Sequence, residues 1–221
     1  MSLSKKKAIL FFICLLFVPH ILSAHAVDLT GMPTKDVAFI YLKLGFTHIL
    51  PLGLDHILFV LCLFFLSPSL KTVLWQATAF TIAHSITLGL AIYGIISPPT
   101  HIVEPIIALS IFYVAVENII SNKLRASRLL LVAIFGLIHG MGFASVLTDL
   151  GLPKDQFLTS LISFNVGVEL GQISIILLAW LLIGKWFNKK PWYKDRIVIP
   201  ISVVIALISL YWTIERIFFS N

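Results

Sequence analysis

HILPLGLDHILF, residues 48–59, sets two imidazoles and a carboxylate (His48, His56 and Asp55) in a run otherwise apolar enough to lie in a membrane. Pro51 and Gly53 stand between them. The apolar run extends outward from Val37 to Leu66, about 30 residues. A hydrocarbon layer about 30 Å thick takes about 20 helical residues, so the run is too long for one straight helix and too short for two spans. Proline deletes a helical hydrogen bond and disfavours helical geometry in the residue before it. The segment therefore reads as a half-helix or re-entrant piece followed by a short spanning helix that begins near Gly53.

Five plainer runs follow it: Thr72 to Ile96, Ile102 to Ser121, Arg128 to Leu147, Phe157 to Ile183 and Ile197 to Phe218. With 59% hydrophobic residues, 12% charged residues and a mean hydropathy of +1.02, the 221-residue chain lies outside the soluble range. The expected architecture is an all-α integral membrane protein, a six-span helix bundle forming a single domain over residues 27–221. Ahead of it, Lys5, Lys6 and Lys7, the apolar AILFFICLLF and the small-x-small Ala24-His25-Ala26 have the order of a cleaved signal peptide, residues 1–26. Its removal leaves Cys62 as the one thiol, too few for an internal disulfide or a cysteine metal site.

A cleaved signal puts the mature N-terminus outside, and the loops alternate from there. Lys71, Lys123, Arg125, Arg128, Lys185, Lys189, Lys190, Lys194 and Arg196 then fall inside, against Lys35, Lys154 and Arg216 outside. Nine against three satisfies the positive-inside rule and places the protein in a bacterial inner (cell) membrane with both termini on the periplasmic side. The net charge of +6 thus reflects topology and the leader. KWFNKKPWYKDR, residues 185–196, mixes Trp and Tyr with lysines as a headgroup interface does, so no nucleic-acid partner is expected. No Gly-rich phosphate loop occurs, which excludes ATP-driven chemistry on this chain.

Eight ionisable groups lie within or beside the spans: His48, Asp55, His56, His84, Glu104, Glu117, His139 and Glu169. Each costs roughly 2.5–3.5 kcal/mol at mid-bilayer, so they must face inward and satisfy one another, a metal ion or a wet cavity. Imidazoles and carboxylates are lone-pair donors suited to Ni, Co or Zn, and the carboxylates offset the charge of a divalent cation. If helical, Asp55 and His56 point about 100° apart, and both reach one ion only from a helix end, which Pro51 and Gly53 supply. The N–H groups of a half-helix starting near Gly53 would lower the cost of the Asp55 charge. Asn165 and Glu169 share one helix face, as do Thr81 and His84. Gly136-x3-Gly140 and Gly167-x3-Gly171 have the small-residue spacing that lets helices approach closely. Glu104 points away from Glu117 and lies near the outer surface. Glu215 and Arg216, at the end of the last span, can pair or snorkel.

Taken in order, GFTHILPLGLDHILFVL, AFTIAHSITLGLA, VEPIIALSIFYVAVEN, FGLIHGMGFASVL and FNVGVELGQ resemble the HupE/UreJ family, and more closely its second subgroup. The resemblance implies a six-span protein made with a cleaved signal, and links it to secondary permeases that supply nickel. The nickel-linked branch has five residues between His and Asp-His, and this chain has six between His48 and Asp55. Asp55, His56, His139 and Glu169 match the family motifs by position.

The expected function is a secondary permease for a divalent transition-metal cation, nickel or cobalt. Asp55 and His56 would capture the ion at the outer side, His84, His139 and Glu169 would hold it near the midplane, and Glu117 would pass it inward. His48, Asn165, Ser85 and Glu104 are secondary candidates. The alternatives are an intramembrane Zn-dependent hydrolase, with Glu169 or Glu117 as base and Ser85 polarising the substrate, and an accessory membrane subunit holding a structural metal.

Overall fold

The computed structural model describes residues 31–121, 127–144, 147 and 154–219. These are helical, with no strand among the described residues. The helices are α1 (Thr34–Ile49), α2 (Leu54–Leu66), α3 (Leu70–Ile92), α4 (Thr100–Ile120), α5 (Arg128–Gly142), α6 (Phe157–Phe187) and α7 (Lys194–Phe218). The leader expected over residues 1–26 lies outside the described residues.

Helices α3, α4, α6 and α7 are each long and apolar enough to cross a membrane, and α1 with α2 makes a fifth span bent by 68°. Helix α5 has 15 residues, fewer than a span requires; of the residues expected to extend it to Leu147, Ser145 and Val146 lie outside the described ones.

The bend falls where the sequence places it. Helix α1 ends at Ile49, Leu50–Pro51 is cis, and α2 starts after Gly53. The turn between them is closed by Leu52 N–H donating to Thr47 O at 3.3 Å and Gly53 N–H to Ile49 O at 3.1 Å. Contacts along α6 show how the two halves run. Gln156, just before α6, donates to Met32 O at 3.0 Å. Farther along, Gly167 faces Leu42 and Phe46, Gly171 faces Ile49, and Gly184 faces Phe64. Helices α1 and α2 therefore follow α6 in the same direction from end to end, as one broken span rather than a re-entrant hairpin.

Three close helix pairs frame the bundle: α1 with α6, α3 with α5, and α4 with α7. Lipid tails are as apolar as leucine, so helices in a membrane associate through packing rather than water exclusion. Glycine at the contact brings backbones together. A Cβ on Gly167 would stand 2.7 Å from Phe46 N, and one on Gly136 3.0 Å from Phe80 Cα. Helix α2 lies among α3, α4 and α6. Phe59, Val60, Cys62, Leu63, Phe64 and Phe65 are all buried, as expected of a helix apolar on every side. Trp75, Ile82, Leu158, Leu182 and Leu207, by contrast, are exposed on the outer surface, where lipid would cover them.

Candidate metal centre

Two polar clusters interrupt this apolar interior. At one end, the starts of α2 and α4 meet the ends of α1, α5 and α7 around a cavity of about 500 Å3, whose lining includes His48, Asp55, His56, Glu104, His139 and Arg216. Ligand atoms of His48, His56 and His84 lie within 4.8 Å of one another. Two imidazole nitrogens across one ion are at most about 4.2 Å apart, twice a bond of about 2.1 Å. Three nitrogens cannot all stand opposite one another, and in a tetrahedral site they lie about 3.4 Å apart, so the cluster would have to draw in by about 1 Å for all three to hold one metal. His139 completes the group, its ring centroid 5.3 Å from that of His56.

All four imidazoles leave a buried Nε2 with no hydrogen-bond partner among the described residues. For two of them the far side of the ring fixes the proton. His139 Nδ1 is 2.7 Å from Phe135 O; a carbonyl only accepts, so Nδ1 carries the hydrogen. His84 Nδ1 is 3.3 Å from Asn165 Oδ1, and Asn165 Nδ2 donates to Leu161 O at 2.8 Å, which orients the amide with its oxygen toward His84. In both rings the Nε2 lone pair is then free. This is the arrangement of a metal-binding histidine, whose other nitrogen donates to an oxygen that fixes tautomer and orientation.

Phenylalanines enclose the cluster. Phe143 lies against His48, its ring tilted by 39° with centroids 3.9 Å apart, and Phe80 lies 5.7 Å from His56 and 4.9 Å from His139. A dry wall strengthens any charge interaction inside it.

His48, doubtful from its spacing, stands within the cluster. A count of residues measures a helix face only while the helix continues, and here the turn at Pro51 and Gly53 intervenes. Asp55 lies beside the cluster at the cavity wall, with Oδ2 accepting from Arg216 Nη2 at 2.9 Å. Arg216 also donates through Nη1 to Glu104 O at 3.1 Å. Sequence reasoning set Arg216 aside; the signal available was a carboxylate in an apolar run that needs a cation at the same end of the bundle.

Glu169 is elsewhere. It accepts from Thr78 Oγ1 at 2.7 Å and lines a separate pocket of about 360 Å3 between α3 and α6, with Ser85 and Asn165. Ser85 donates its hydroxyl to Thr81 O at 2.6 Å.

Glu117 belongs to the second cluster, at the opposite end. Its Oε2 lies 2.6 Å from Arg128 Nη1. Arg128 Nε also donates to Gln76 Oε1 at 3.1 Å and Nη2 to Cys62 O at 3.4 Å. Asn118 Nδ2 donates to the same Cys62 carbonyl at 2.9 Å and to Ser202 Oγ at 3.4 Å. Sequence reasoning counted Arg128 among the loop charges, but it is 2% exposed. The paired carboxylate and two further acceptors make that burial tolerable. The network ties α2, α3, α4, α5 and α7 together and closes the bundle at this end.

A family model described as HupE / UreJ protein matches residues 23–216 of the chain. No curated protein and no solved structure matches it.

Proposed function

The chain belongs to the HupE/UreJ family, associated with metal transport, and from that premise we propose that it is a secondary permease for a divalent transition-metal cation, nickel or cobalt. The observation that carries the reading is the set of four partnerless imidazole Nε2 atoms beside an open cavity. His48, His56, His84 and His139 hold the ion, and Asp55 at the cavity wall contributes its charge. Multi-site imidazole coordination suits transport, because an ion in a rigid closed cage would not leave.

Helix α5 counts as the sixth span, and a cleaved signal then leaves both termini on the periplasmic side of a bacterial inner membrane. The cavity then opens outward and the Arg128–Glu117 network closes the inner end. Glu117 can touch a passing ion only after it releases Arg128. The hydrolytic reading gains less support. Glu117, one of its proposed bases, is paired with Arg128, and the Ser85 hydroxyl is engaged with a carbonyl; Glu169, the other, accepts from Thr78 through Oε1 and leaves Oε2 without a partner among the described residues.

Nickel accumulation by proteoliposomes tests the proposal. Wild-type protein should load the vesicles, and His56→Ala should reduce loading to the level of protein-free vesicles. Undiminished loading by that variant would sink the reading.

A further inference from the structure

Arg216 is the one cationic side chain lining the cavity among the described residues. Three contacts hold it there. Its guanidinium binds Asp55 Oδ2 at 2.9 Å and Glu104 O at 3.1 Å, and lies over the Trp212 ring with the centroid 5.5 Å away. Its side chain is 20% exposed and that of Asp55 27%, so the pair sits at the boundary between cavity and interior. A tethered +1 group thus occupies the carboxylate nearest the imidazoles, in a cavity proposed to admit cations.

We infer that Arg216 is a built-in competitor cation that selects divalent over monovalent ions at Asp55. The inference rests on the permease reading. Coulomb energy scales with the product of the charges. A potassium ion that displaces the guanidinium exchanges one +1 charge for another, and it loses the fork geometry and the tether. A +2 ion at the same distance doubles the attraction, and the imidazoles add lone pairs that alkali cations use poorly. Only a divalent transition metal gains enough to separate Arg216 from Asp55. The same competition speeds release, since the guanidinium returns to the carboxylate as the ion leaves.

Titration calorimetry of the purified protein with Ni2+, in choline chloride and in potassium chloride of equal ionic strength, tests this. A partly exposed ion pair is worth up to about 1 kcal/mol, roughly fivefold in affinity. Arg216→Gln should therefore bind Ni2+ roughly fivefold more tightly than wild type in choline, and lose that gain in potassium, while wild type is the same in both salts. In an Asp55→Asn background, Arg216→Gln should change nothing.

Unchanged or weaker Ni2+ binding by Arg216→Gln would overturn the inference and make Arg216 a positioning residue for Asp55. If the variant is not monodisperse, Arg216→Lys replaces it. A single ammonium cannot reproduce the fork to Asp55 and Glu104, so its affinity should lie between the two, and affinity at or below wild type again overturns the inference. Failure of wild type itself to bind Ni2+ would instead remove the permease reading beneath it.

Discussion

Asn165 decides which nitrogen of His84 carries the proton. The amide donates to Leu161 O at 2.8 Å and turns its oxygen to His84 Nδ1 at 3.3 Å, which leaves Nε2 with a free lone pair. Partners of this kind are typically worth 10–100-fold in metal affinity. Asn165→Leu, which keeps the size and removes the acceptor, should weaken Ni2+ binding by roughly tenfold or more without unfolding the bundle. Calorimetry beside a thermal melt in detergent checks both halves; full affinity in the variant would show that the His84 tautomer does not matter.

His48 should matter as much as His56. Both contribute to the three-ligand cluster, so His48→Ala and His56→Ala should each lower the metal retained after purification. Elemental analysis of the two variants beside wild type reads this directly, and a His48→Ala protein with undiminished metal would restrict the site to the other imidazoles.

Acid should empty the site. An imidazole binds metal only in its neutral form, so binding displaces protons, and acidification must weaken it. The sign is fixed: uptake into proteoliposomes declines as external pH falls, and each ion bound near the titration midpoint releases protons to the buffer. Uptake that rises with acidification would contradict imidazole ligation.

The buried pair at the opposite end concerns stability rather than metal. Removing one partner of such a pair costs about 3–5 kcal/mol, because the other charge is left uncompensated. Arg128→Met and Glu117→Leu should each lower the melting temperature sharply, and the double variant should recover much of the loss. Nickel binding at the far cavity should survive in the double variant. A double variant less stable than either single would argue that the wider network, with Gln76 and Asn118, dominates the pair.

Gly140 couples packing to the site. Its missing side chain lets α5 rest on α3 where Gly140 faces the His84 carbonyl and Thr87 Oγ1. A methyl there must push the helices apart. Gly140→Ala should both destabilise the bundle, by about 1–3 kcal/mol as overpacking does, and weaken Ni2+ binding through His84 and His139. A melt and a titration on one sample test the joint effect; a stability loss with unchanged affinity would separate the two.

Much of the fold was legible from particular residues. The 30-residue run with Pro51 and Gly53 inside it could not be one straight helix, and it is bent by 68° at that place; whether its first half was re-entrant depended on the contacts with α6. The two small-residue spacings lie on close helix contacts, Gly136 and Gly140 against α3 and Gly167 and Gly171 against α1. The site was legible as a set of residue types and less so as an arrangement. His48 looked misplaced because this chain has six residues between it and Asp55 where the nickel-linked branch has five, and the turn at Pro51 and Gly53 makes such a count a poor guide to position. Glu117 looked like a lone carboxylate in lipid, yet the group that meets its cost, Arg128, comes from another helix at a sequence separation of 11, and Thr78, which donates to Oε1 of Glu169, comes from a separation of 91. Single-helix periodicity cannot reveal partners brought by tertiary packing.

The glycine contacts also divide three of the four imidazoles between two bodies, His56 being carried by α2. His48 is carried by α1, fastened to α6 through Gly45, Gly167 and Gly171, whereas His84 and His139 are carried by α3 and α5, fastened to each other through Gly136 and Gly140. An ion shared between His48 and His84 is therefore a rivet through a seam between two tightly joined helix pairs. Loading it would draw the pairs together, and a slight parting of the seam would strip the ion of part of its coordination at once.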